Sequence, residues 1–412
     1  MDVNSSVFYE TVYLEKGKSM KVLELPSWYL PYGGHFVLHQ ALALREQGVD
    51  VHILANVPLA TRTVKWHMLD FQRFPLRPFF TEEHGIPMLR YYTRTLPKLT
   101  IYNILRWARI TVALYEQYYS RYGHPDIIHA HSSTWGAYAA SMIKKKWGIP
   151  YVVTEHRGMF GCKCQLARDF FRPEFTPFLT EGLSNANYII PVGDLLIPKL
   201  REYLTKEVPI KVISNIVDTD FFVCGNEIKP HKPFRWISVN GYRPVKGYDI
   251  LLPAFDKLCD NDTDVTLTLV GEDFEQNAFQ ELLTQCRHKD RIRFTGELNR
   301  EGVLHELQQA DAFVMSSRVE SQSVAVLEAL SCGLPIAGTE VIPSYTLPNN
   351  LGIRVPVERP DLLANAMQKV MNDYDVYSPT EAHNHIISIA NKKVVSKQLI
   401  EIYQEVLQNS RS

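Results

Sequence analysis

The sequence SSRVESQSVAVLEALSCGLPIAGT, residues 316–339, decides the fold. An apolar run at residues 312–315 precedes it and predicts a buried strand, and a polar loop follows that run. Residues 323–332 then show the apolar spacing of a short helix, which the Gly-Leu-Pro at 333–335 ends. Because residues 336–339 are apolar again, the stretch predicts a strand, a loop, a helix and a strand in a parallel α/β sheet.

Two carboxylates in this stretch are candidate site residues. Glu320 lies in the predicted loop, and loops after the carboxyl ends of parallel strands line the ligand crevice. Ser321 or Ser323 is expected to cap the helix, whose first amides favour an anion such as a phosphate. Glu328, further along the helix, can accept hydrogen bonds from vicinal hydroxyls. The alternative is that both glutamates are solvated residues near a helix start, where glutamate is common.

Length and composition indicate a two-domain globular protein. The chain has 412 residues, which is too many for one hydrophobic core. Hydrophobic residues make up 45%, and the net charge of -1 gives no sign of nucleic-acid binding. The sequence contains no run of about 18 apolar residues, so no transmembrane helix is predicted. The six cysteines form no disulfide pattern, so we expect free thiols and a cytoplasmic protein, with peripheral binding to the inner face of the plasma membrane left open.

Short apolar runs alternate with helical patterns in both halves, which predicts a doubly wound parallel sheet in each half. We expect an N-terminal extension at 1–19, Rossmann-like domains at 20–215 and 216–385, and a C-terminal helix at 386–412. The predicted strands are 22–25, 49–54, 127–130, 151–154, 188–190 and 211–213 in the first half, and 235–239, 266–270, 292–294, 312–315, 336–339 and 352–355 in the second. The two domains are expected to face each other across a cleft.

Gly33 and Gly34 follow the first strand and precede a helix. Two glycines there let the backbone approach a ligand and leave helix amides free for an anion. The spacing is not the Gly-x-Gly-x-x-Gly of a dinucleotide site, which argues against a nicotinamide dehydrogenase. A plain turn remains the alternative.

Histidines close two successive strands of the first half. His129 and His131 end the third strand, and His156 with Arg157 follows the fourth. All three histidines are expected to face one crevice, where they could orient or deprotonate a hydroxyl. A metal site is not predicted, because no acidic or cysteine partner is spaced to complete one. The alternative is that they are hydrogen-bonded structural residues.

Residues 61–121 form an insertion between the second and third strands. The segment carries ten basic and four acidic residues, a net charge of +6, and is rich in aromatic residues. Such a mixture suits a membrane surface with anionic lipid, and Arg90, Arg94 and Lys98 are the basic residues that we would change to test it. Internal packing of the aromatic residues is the alternative. Nucleic acid is not expected as a partner, because no nucleic-acid motif accompanies the segment.

Two cations follow the first strand of the second domain. Arg243 offers a bidentate fork and Lys246 a point charge, and both suit a diphosphate. Gly247 lets the chain enter the next helix. Taken alone, the two side chains could equally be solvated charges in a loop.

The order of these strands and motifs along nearly the whole chain resembles that of the retaining glycosyltransferases of family 4, which have the GT-B fold. The most specific matches are the two glutamates eight positions apart, the sequence EALSCGLP that begins at Glu328, and the pair Lys246-Gly247. VISNIVDTDF at 212–221 resembles the family's domain crossover. The weaker matches are PDIIHAH at 125–131 and the pair Gly33-Gly34.

The resemblance implies roles for the matching residues. Glu328 would bind the ribose hydroxyls of a nucleotide-sugar, Glu320 would contact the donor sugar, and Lys246 with an arginine would neutralise the leaving diphosphate. His131 would lie beside the transferred sugar. The last helix would return to the first domain, and no metal or cofactor is implied. Further expected donor contacts are Gly33, Gly34, Gly271, Gly296, Glu297, Ser321, Gln322, Ser323 and Val324. The expected acceptor-side residues are His129, His156 and Arg157.

Two departures from the family pattern concern the donor site. The family's arginine stands five positions before the lysine, where this chain has Gly241, so Arg243 is its expected substitute. The family's small residue, phenylalanine and glycine after the first glutamate are replaced by Ser321, Gln322 and Ser323. The donor sugar therefore cannot be assigned from this loop.

These observations predict an enzyme that moves a sugar, with retention, from a nucleotide-sugar donor to a hydroxyl of a glycan or lipid-linked acceptor. Cell-surface polysaccharide or glycoconjugate synthesis is the expected setting. One rival is a nucleotide-sugar 2-epimerase of the same two-domain shape, which needs no acceptor. The other rival is a catalytically silent scaffold bound to a membrane.

Overall fold

A computed structural model describes residues 13–15, 18–59, 72–162, 171–225, 230–261 and 264–411. Two separate sheets, of seven and six strands, form the centres of two α/β domains, which confirms the predicted fold class. A third, two-stranded antiparallel sheet lies within the predicted N-terminal extension and pairs β1 (Tyr13–Glu15) with β2 (Lys18–Ser19).

The first domain contains the seven-stranded sheet. Its strands are β3 (Lys21–Pro26), β4 (Asp50–Leu59), β5 (Phe79–Glu83), β6 (Ile86–Arg94), β7 (Ile127–His131), β8 (Tyr151–Glu155) and β9 (Tyr188–Pro191). Their order across the sheet is β5-β6-β4-β3-β7-β8-β9, and only the β5–β6 pair is antiparallel. Its helices are α1 (His35–Glu46), α2 (Thr100–Tyr122), α3 (Ala137–Trp147), α4 (Thr176–Ser184) and α5 (Ile197–Arg201). The run at 211–213, predicted as a strand, instead follows a single bridge between Ile189 and Ile210.

The second domain contains the six-stranded, all-parallel sheet. Its strands are β10 (Phe234–Val239), β11 (Val265–Val270), β12 (Ile292–Gly296), β13 (Ala312–Met315), β14 (Ile336–Thr339) and β15 (Gly352–Val355). Their order is β12-β11-β10-β13-β14-β15, so β10 and β13 are neighbours at its centre. The helices are α6 (Tyr248–Asn261), α7 (Asn277–Gln285), α8 (Arg300–Gln309), α9 (Val324–Ser331), α10 (Pro360–Asn372), α11 (Pro379–Ala390) and α12 (Lys392–Arg411).

Helix α12 packs in the core of the first domain. Its Val395, Leu399 and Tyr403 belong to the same buried cluster as the side chains of β3 and α1. Lys392 at its start lies 2.7 Å from Glu46 at the end of α1. The chain therefore returns from the second domain to the first.

The insertion is part of the first domain, and its described residues start at 72. It supplies β5, β6 and α2, and the side chains of Trp107, Tyr115 and Tyr118 are 0–1% exposed. Arg90 is also buried and lies within hydrogen-bond distance of Glu83, at 2.5 Å. The alternative of internal aromatic packing therefore describes most of α2, and Arg90 is not a membrane contact.

Two further observations concern the compartment. Within the described ranges, none of the helices combines the length and the apolar character that crossing a bilayer requires. Cys162 is disulfide-bonded, so the expectation of a free thiol there is wrong. Cys259 and Cys286 are free thiols, as expected.

Candidate active site

Lys246 and Glu320 meet at the carboxyl end of the second sheet. Lys246 ends a single turn, Pro244–Lys246, in the loop after β10, and Glu320 lies in the loop after β13. Because β10 and β13 are adjacent parallel strands, the two loops emerge side by side. The Lys246 Nζ is 2.6 Å from the Glu320 Oε1, and both side chains are largely shielded from solvent. The site thus holds a fixed cation next to a carboxylate.

The end of β13 holds the lysine loop in place. The Ser316 hydroxyl donates to the carbonyl of Lys246 at 2.8 Å, and the Arg318 amide donates to the carbonyl of Val245 at 2.8 Å. The Arg318 guanidinium donates to the carbonyl of Pro244 at 2.8 Å and binds the Asp249 carboxylate. Arg318 was not among the predicted site residues, because its partners lie about seventy positions away and leave no local signal.

Gly247 must be glycine in this arrangement. Its φ of 69° lies in the left-handed region, and a methyl group at this position would stand 2.2 Å from the Ser316 carbonyl oxygen. The tight approach of the two loops therefore depends on this residue.

Arg243 does not join the Lys246–Glu320 pair. Its guanidinium binds the carboxylates of Glu272, at 2.9 Å, and Asp273. These partners raise the pKa of Arg243, with the Asp273 hydrogen bond as the largest cause. The role of Arg243 as the second cation of the site stays a prediction. To take that role, its side chain would have to break its ion pairs with Glu272 and Asp273.

Helix α9 begins beside Glu320. The Ser323 hydroxyl accepts a hydrogen bond from the amide of Val326 at 3.4 Å, which confirms the predicted cap. The Val324 side chain is exposed, whereas Glu328, one turn further, is shielded. Burial raises the pKa of Glu328 to about 7, against the opposing charge of Arg300.

Gln322 has a different role from the predicted donor contact. Its side chain is buried, and its Oε1 accepts from the amide of Asn215 at 2.7 Å. Its Nε2 donates to the hydroxyls of Ser214, at 2.9 Å, and Tyr345, at 2.7 Å. The side chain therefore ties the loop to the domain crossover, and only its backbone remains available for a donor.

The two domains touch through backbone at the same loop. Methyl groups built at Gly158 and Gly193 of the first domain would lie 2.7 Å from the carbonyl carbon of Glu320 and 2.3 Å from the carbonyl oxygen of Ser321. Both glycines therefore permit a contact that any side chain would prevent. This contact places the loop after β8 directly against Glu320.

Glycines lie near the carboxyl ends of strands in both domains. Gly33 and Gly34 have φ values of 92° and 83°, and Gly34 is the N-cap of α1. In the second domain the Gly271 amide donates to the Gly296 carbonyl at 3.0 Å, and Glu297 follows as an exposed residue. Their contacts with a donor stay predictions.

Glu24 is the centre of a buried network that the sequence did not reveal. Its Oε2 lies 2.6 Å from His131 Nε2, and its Oε1 accepts from Gln40 Nε2 at 3.1 Å. The other nitrogen of His131, Nδ1, lies 3.1 Å from His156 Nε2, and the His156 ring stacks on Phe36 with centroids 3.8 Å apart. His131 is thus held between a carboxylate and a second imidazole.

His129 does not face the cleft, so the prediction that it lies on the acceptor side is wrong. Its Nδ1 lies 2.5 Å from the Tyr403 hydroxyl of α12, and its Nε2 lies 2.6 Å from the Thr154 hydroxyl. Burial lowers the pKa of His129 well below its usual value, which keeps the ring neutral. The returning helix covers this side of the sheet, and that packing has no local sequence signal.

An acidic residue, Glu24, does lie beside the histidines, although no acidic partner was expected there. Ligand atoms of Glu24, His129 and His131 lie within 4.8 Å of one another. Their polar atoms are already engaged with one another, with Gln40 and with Tyr403. Such satisfied hydrogen bonding favours a structural network over an ion, and a metal-free reaction remains our prediction.

Arg157 lies between the segment after β3, which contains Trp28, and the turn after β7. Its Nη1 donates to the Thr134 hydroxyl at 2.7 Å, and its guanidinium carbon is 5.0 Å from the ring centroid of Trp28. Thr134 belongs to a π-helical turn, Ser132–Gly136, that starts with the strained φ of 75° at Ser132. Strain of this kind is often kept at binding sites.

Two family models match the chain in tandem. Residues 33–221 match the model described as "Glycosyltransferase Family 4", and residues 225–393 match "Glycosyl transferases group 1". The first match covers most of the first domain, from residue 33 onward, and the second covers most of the other. Together they include Lys246, Glu320, Glu328 and the histidines described above.

Curated relatives share these two domains. The chain is 28% identical over 288 residues to a subunit of the human phosphatidylinositol N-acetylglucosaminyltransferase, and the match covers 68% of this chain and 57% of that protein. It is 26% identical to the putative teichuronic acid biosynthesis glycosyltransferase TuaC of Bacillus subtilis, over 78% of this chain and 81% of TuaC. It is 23% identical to the N-acetyl-alpha-D-glucosaminyl L-malate synthase of Bacillus anthracis, over 70% and 76%.

Solved structures share the fold at low identity. Sucrose-phosphate synthase from Thermosynechococcus elongatus superposes with a TM-score of 0.74 at 16% identity, over 95% of this chain and 100% of that one. HepE from Anabaena, in complex with UDP and glucose, gives a TM-score of 0.67 at 15% identity, over 94% and 100%. These likenesses concern the two-domain fold alone.

Proposed function

The chain belongs to glycosyltransferase family 4 with the GT-B fold, and on that premise we propose that it transfers a sugar with retention of anomeric configuration. The donor is a nucleotide-sugar and the acceptor is a hydroxyl of a glycan or lipid-linked molecule, in polysaccharide or glycoconjugate synthesis. The bond from the anomeric carbon to the diphosphate oxygen breaks, and a bond to the acceptor oxygen forms on the same face. The acceptor proton passes to the departing diphosphate.

The observation that carries this proposal is the pairing of Lys246 and Glu320 at 2.6 Å beside the start of α9. Departure of a nucleoside diphosphate builds negative charge on phosphate, and a fixed cation with free helix amides stabilises that charge. Glu320 lies where the reacting sugar would meet both, and the first domain closes over it at Gly158. A diphosphate is a good leaving group, so no strong acid is required.

A screen of nucleotide-sugars tests the proposal. We expect saturable binding of one nucleoside diphosphate and slow hydrolysis of its sugar derivative, with transfer once a hydroxyl acceptor is added. Proton NMR of the product reports the anomeric configuration, and inversion would contradict the mechanism. Conversion of the donor sugar to its 2-epimer without acceptor would instead establish the epimerase. Absence of binding to every nucleoside diphosphate would favour the silent scaffold.

Membrane binding is a second part of the proposal, and we place it at the start of helix α2. Leu96, Leu99 and Tyr102, here called the α2 edge, are 45%, 50% and 50% exposed, and the exposed Lys98 lies among them. Exposed apolar side chains with a neighbouring cation suit the inner face of a plasma membrane that contains anionic lipid.

Vesicle flotation checks this part. We expect the protein to float with vesicles that contain anionic lipid, and the double change Leu99→Ser and Tyr102→Ser to reduce the bound fraction about tenfold, because it removes the apolar contact. Val376→Ser is the matched control, since Val376 is 74% exposed on the second domain. Equal binding of the double variant and the control, or no binding of the unchanged protein, would contradict the proposal.

A further inference from the structure

A pocket of about 500 Å³ lies in the first domain beside the cleft. It is bounded by the start of α2, the π-helical turn after β7, the loop after β8 and the start of α4. Its lining residues are Thr100, Ile104, Thr134, Trp135, Arg157, Arg172, Phe175 and Leu179. The lining combines two arginines with a mainly apolar wall.

Arg157 is a desolvated cation in this pocket. Burial lowers the pKa of its guanidinium, and the neighbouring charge of Glu155 opposes this effect. An arginine stays protonated even so, because its usual pKa lies far above neutrality. The Glu155 carboxylate already accepts hydrogen bonds from the Ser133 amide, at 2.8 Å, and the Arg157 amide, at 2.9 Å. An anion in the pocket would add a charge-assisted interaction to the contacts that Arg157 already makes with Thr134 and Trp28.

Arg172 brings a second guanidinium to the same pocket. It is about half exposed, lies over the Phe175 ring at 4.8 Å, and is 3.3 Å from Glu174 at the surface. A surface ion pair of this kind contributes little free energy, so the guanidinium can turn to a ligand at small cost. Two guanidinium groups on one pocket match the bidentate geometry of a phosphate.

The remaining wall is apolar. Its accessible part comes from the rings of Trp135 and Phe175, because Ile104 and Leu179 are each only 1% exposed. Thr100, which also lines the pocket, directly follows Leu99 of the α2 edge. An apolar chain bound here would therefore lead toward the surface that we assign to the membrane.

Arg157 connects the pocket to the reacting groups. The next residue is Gly158, whose backbone touches that of Glu320. A ligand phosphate held by Arg157 thus lies close to the place where the sugar leaves its donor. The hydroxyl that receives the sugar would belong to the same ligand.

We propose that this pocket binds the acceptor substrate and that the acceptor carries a phosphate attached to an apolar chain. The inference rests on the proposed glycosyl transfer, which it deepens by assigning the acceptor class. The phosphate binds between Arg157 and Arg172, and the chain packs along Trp135 and Phe175.

Calorimetric titration with octyl phosphate tests the inference without any turnover. We expect octyl phosphate to bind at least about tenfold more tightly than either octanol or inorganic phosphate, because only octyl phosphate offers both halves of the ligand. Across ethyl, butyl and octyl phosphate, affinity should rise by up to about fourfold for each methylene group that is buried. Equal binding of octanol, or of inorganic phosphate alone, would overturn the assignment.

Arg172→Ala isolates the phosphate contact. Its side chain is half exposed, so the variant should fold, and octyl phosphate should bind about tenfold more weakly. Arg201→Ala, an exposed arginine of the same domain outside the pocket, is the matched control and should bind normally. Equal affinity of the two variants would contradict the proposal.

Nucleoside diphosphate binding, measured on the same samples, separates this inference from the proposed function. Diphosphate binding without octyl phosphate binding would refute the pocket alone. Octyl phosphate binding that depends on Arg172, with no diphosphate binding, would refute the transferase and leave the phosphate site.

Discussion

Lys246→Ala is expected to lower kcat for sugar transfer by about 100- to 1000-fold, the usual loss when one preorganised charge-stabilising donor is removed. Lys246 Nζ is the cation closest to Glu320, at 2.6 Å, in a part of the cleft that is shielded from water. Its charge matters most as the diphosphate leaves, so the KM for the donor should change less than kcat. Steady-state kinetics with saturating acceptor measure both constants.

The variant needs controls for folding, because Glu320 loses its partner. An uncompensated, largely buried carboxylate destabilises a protein by about 1–3 kcal/mol, so thermal unfolding should be followed alongside activity. Lys246→Arg keeps the charge and should retain part of the rate, whereas Glu320→Gln keeps the shape and should also reduce transfer strongly. Full turnover by a folded Lys246→Ala enzyme would refute the assignment of this lysine to the leaving group.

Glu328 should make donor binding depend on pH near neutrality. Burial raises its pKa to about 7, so the carboxyl group is mostly protonated at lower pH. Ribose hydroxyls bind best to the ionised form, which accepts hydrogen bonds at both oxygens. We expect affinity for the nucleotide-sugar to increase by about tenfold between about pH 6 and pH 8, and Glu328→Gln to be weaker at the upper pH with a flat profile.

The choice of ligand and of control variant allows the pH dependence to be assigned to Glu328. Unlike a free nucleoside diphosphate, a nucleotide-sugar has no phosphate proton that titrates in this range. The change of its affinity with pH therefore arises from the protein. Glu301→Gln, an exposed position on α8, should keep the slope of the unchanged protein. A slope that persists in Glu328→Gln would show that another group is responsible.

The raised pKa of Glu328 also predicts that the stability of the folded protein falls as pH rises. The folded pKa of Glu328 lies above its unfolded value of 4.5, because burial penalises the ionised form. The stabilisation relative to the unfolded chain is therefore full below about pH 4.5 and is lost as pH rises through about 7. Glu328→Gln should accordingly raise the melting temperature more at alkaline than at acidic pH.

Local periodicity predicted much of the second domain. The apolar runs at 312–315 and 336–339 coincide with β13 and β14, and the pattern at 323–332 contains helix α9. The hairpin of β5 and β6 was missed inside the insertion, although a signal was present. His84 and Gly85 form a tight turn with φ values of 51° and 77° between two segments rich in strand-forming residues.

The candidate site was predictable only where a residue's chemistry and its local element suffice. Lys246 and Glu320 follow neighbouring strands, so their meeting could be expected from the alternation of strands and helices. Glu24 and His131 are 107 positions apart, and His129 and Tyr403 are 274 apart. Pairs at such separations depend on which elements pack together, and one sequence does not contain that information. For the same reason, the hydrogen bond between the Gln322 side chain and Asn215 could not be predicted.

The contact of Gly158 and Gly193 with the Glu320 loop sets a mechanical limit on the cleft. Peptide groups meet there without intervening side chains, so van der Waals repulsion fixes the smallest gap between the domains. Such repulsion involves no ionisable group and is not screened by salt, so we expect the spacing at this contact to stay constant when pH and ionic strength change. One added methyl group at Gly193 would widen the closed cleft without any change in charge, which separates the effect of closure from that of electrostatics.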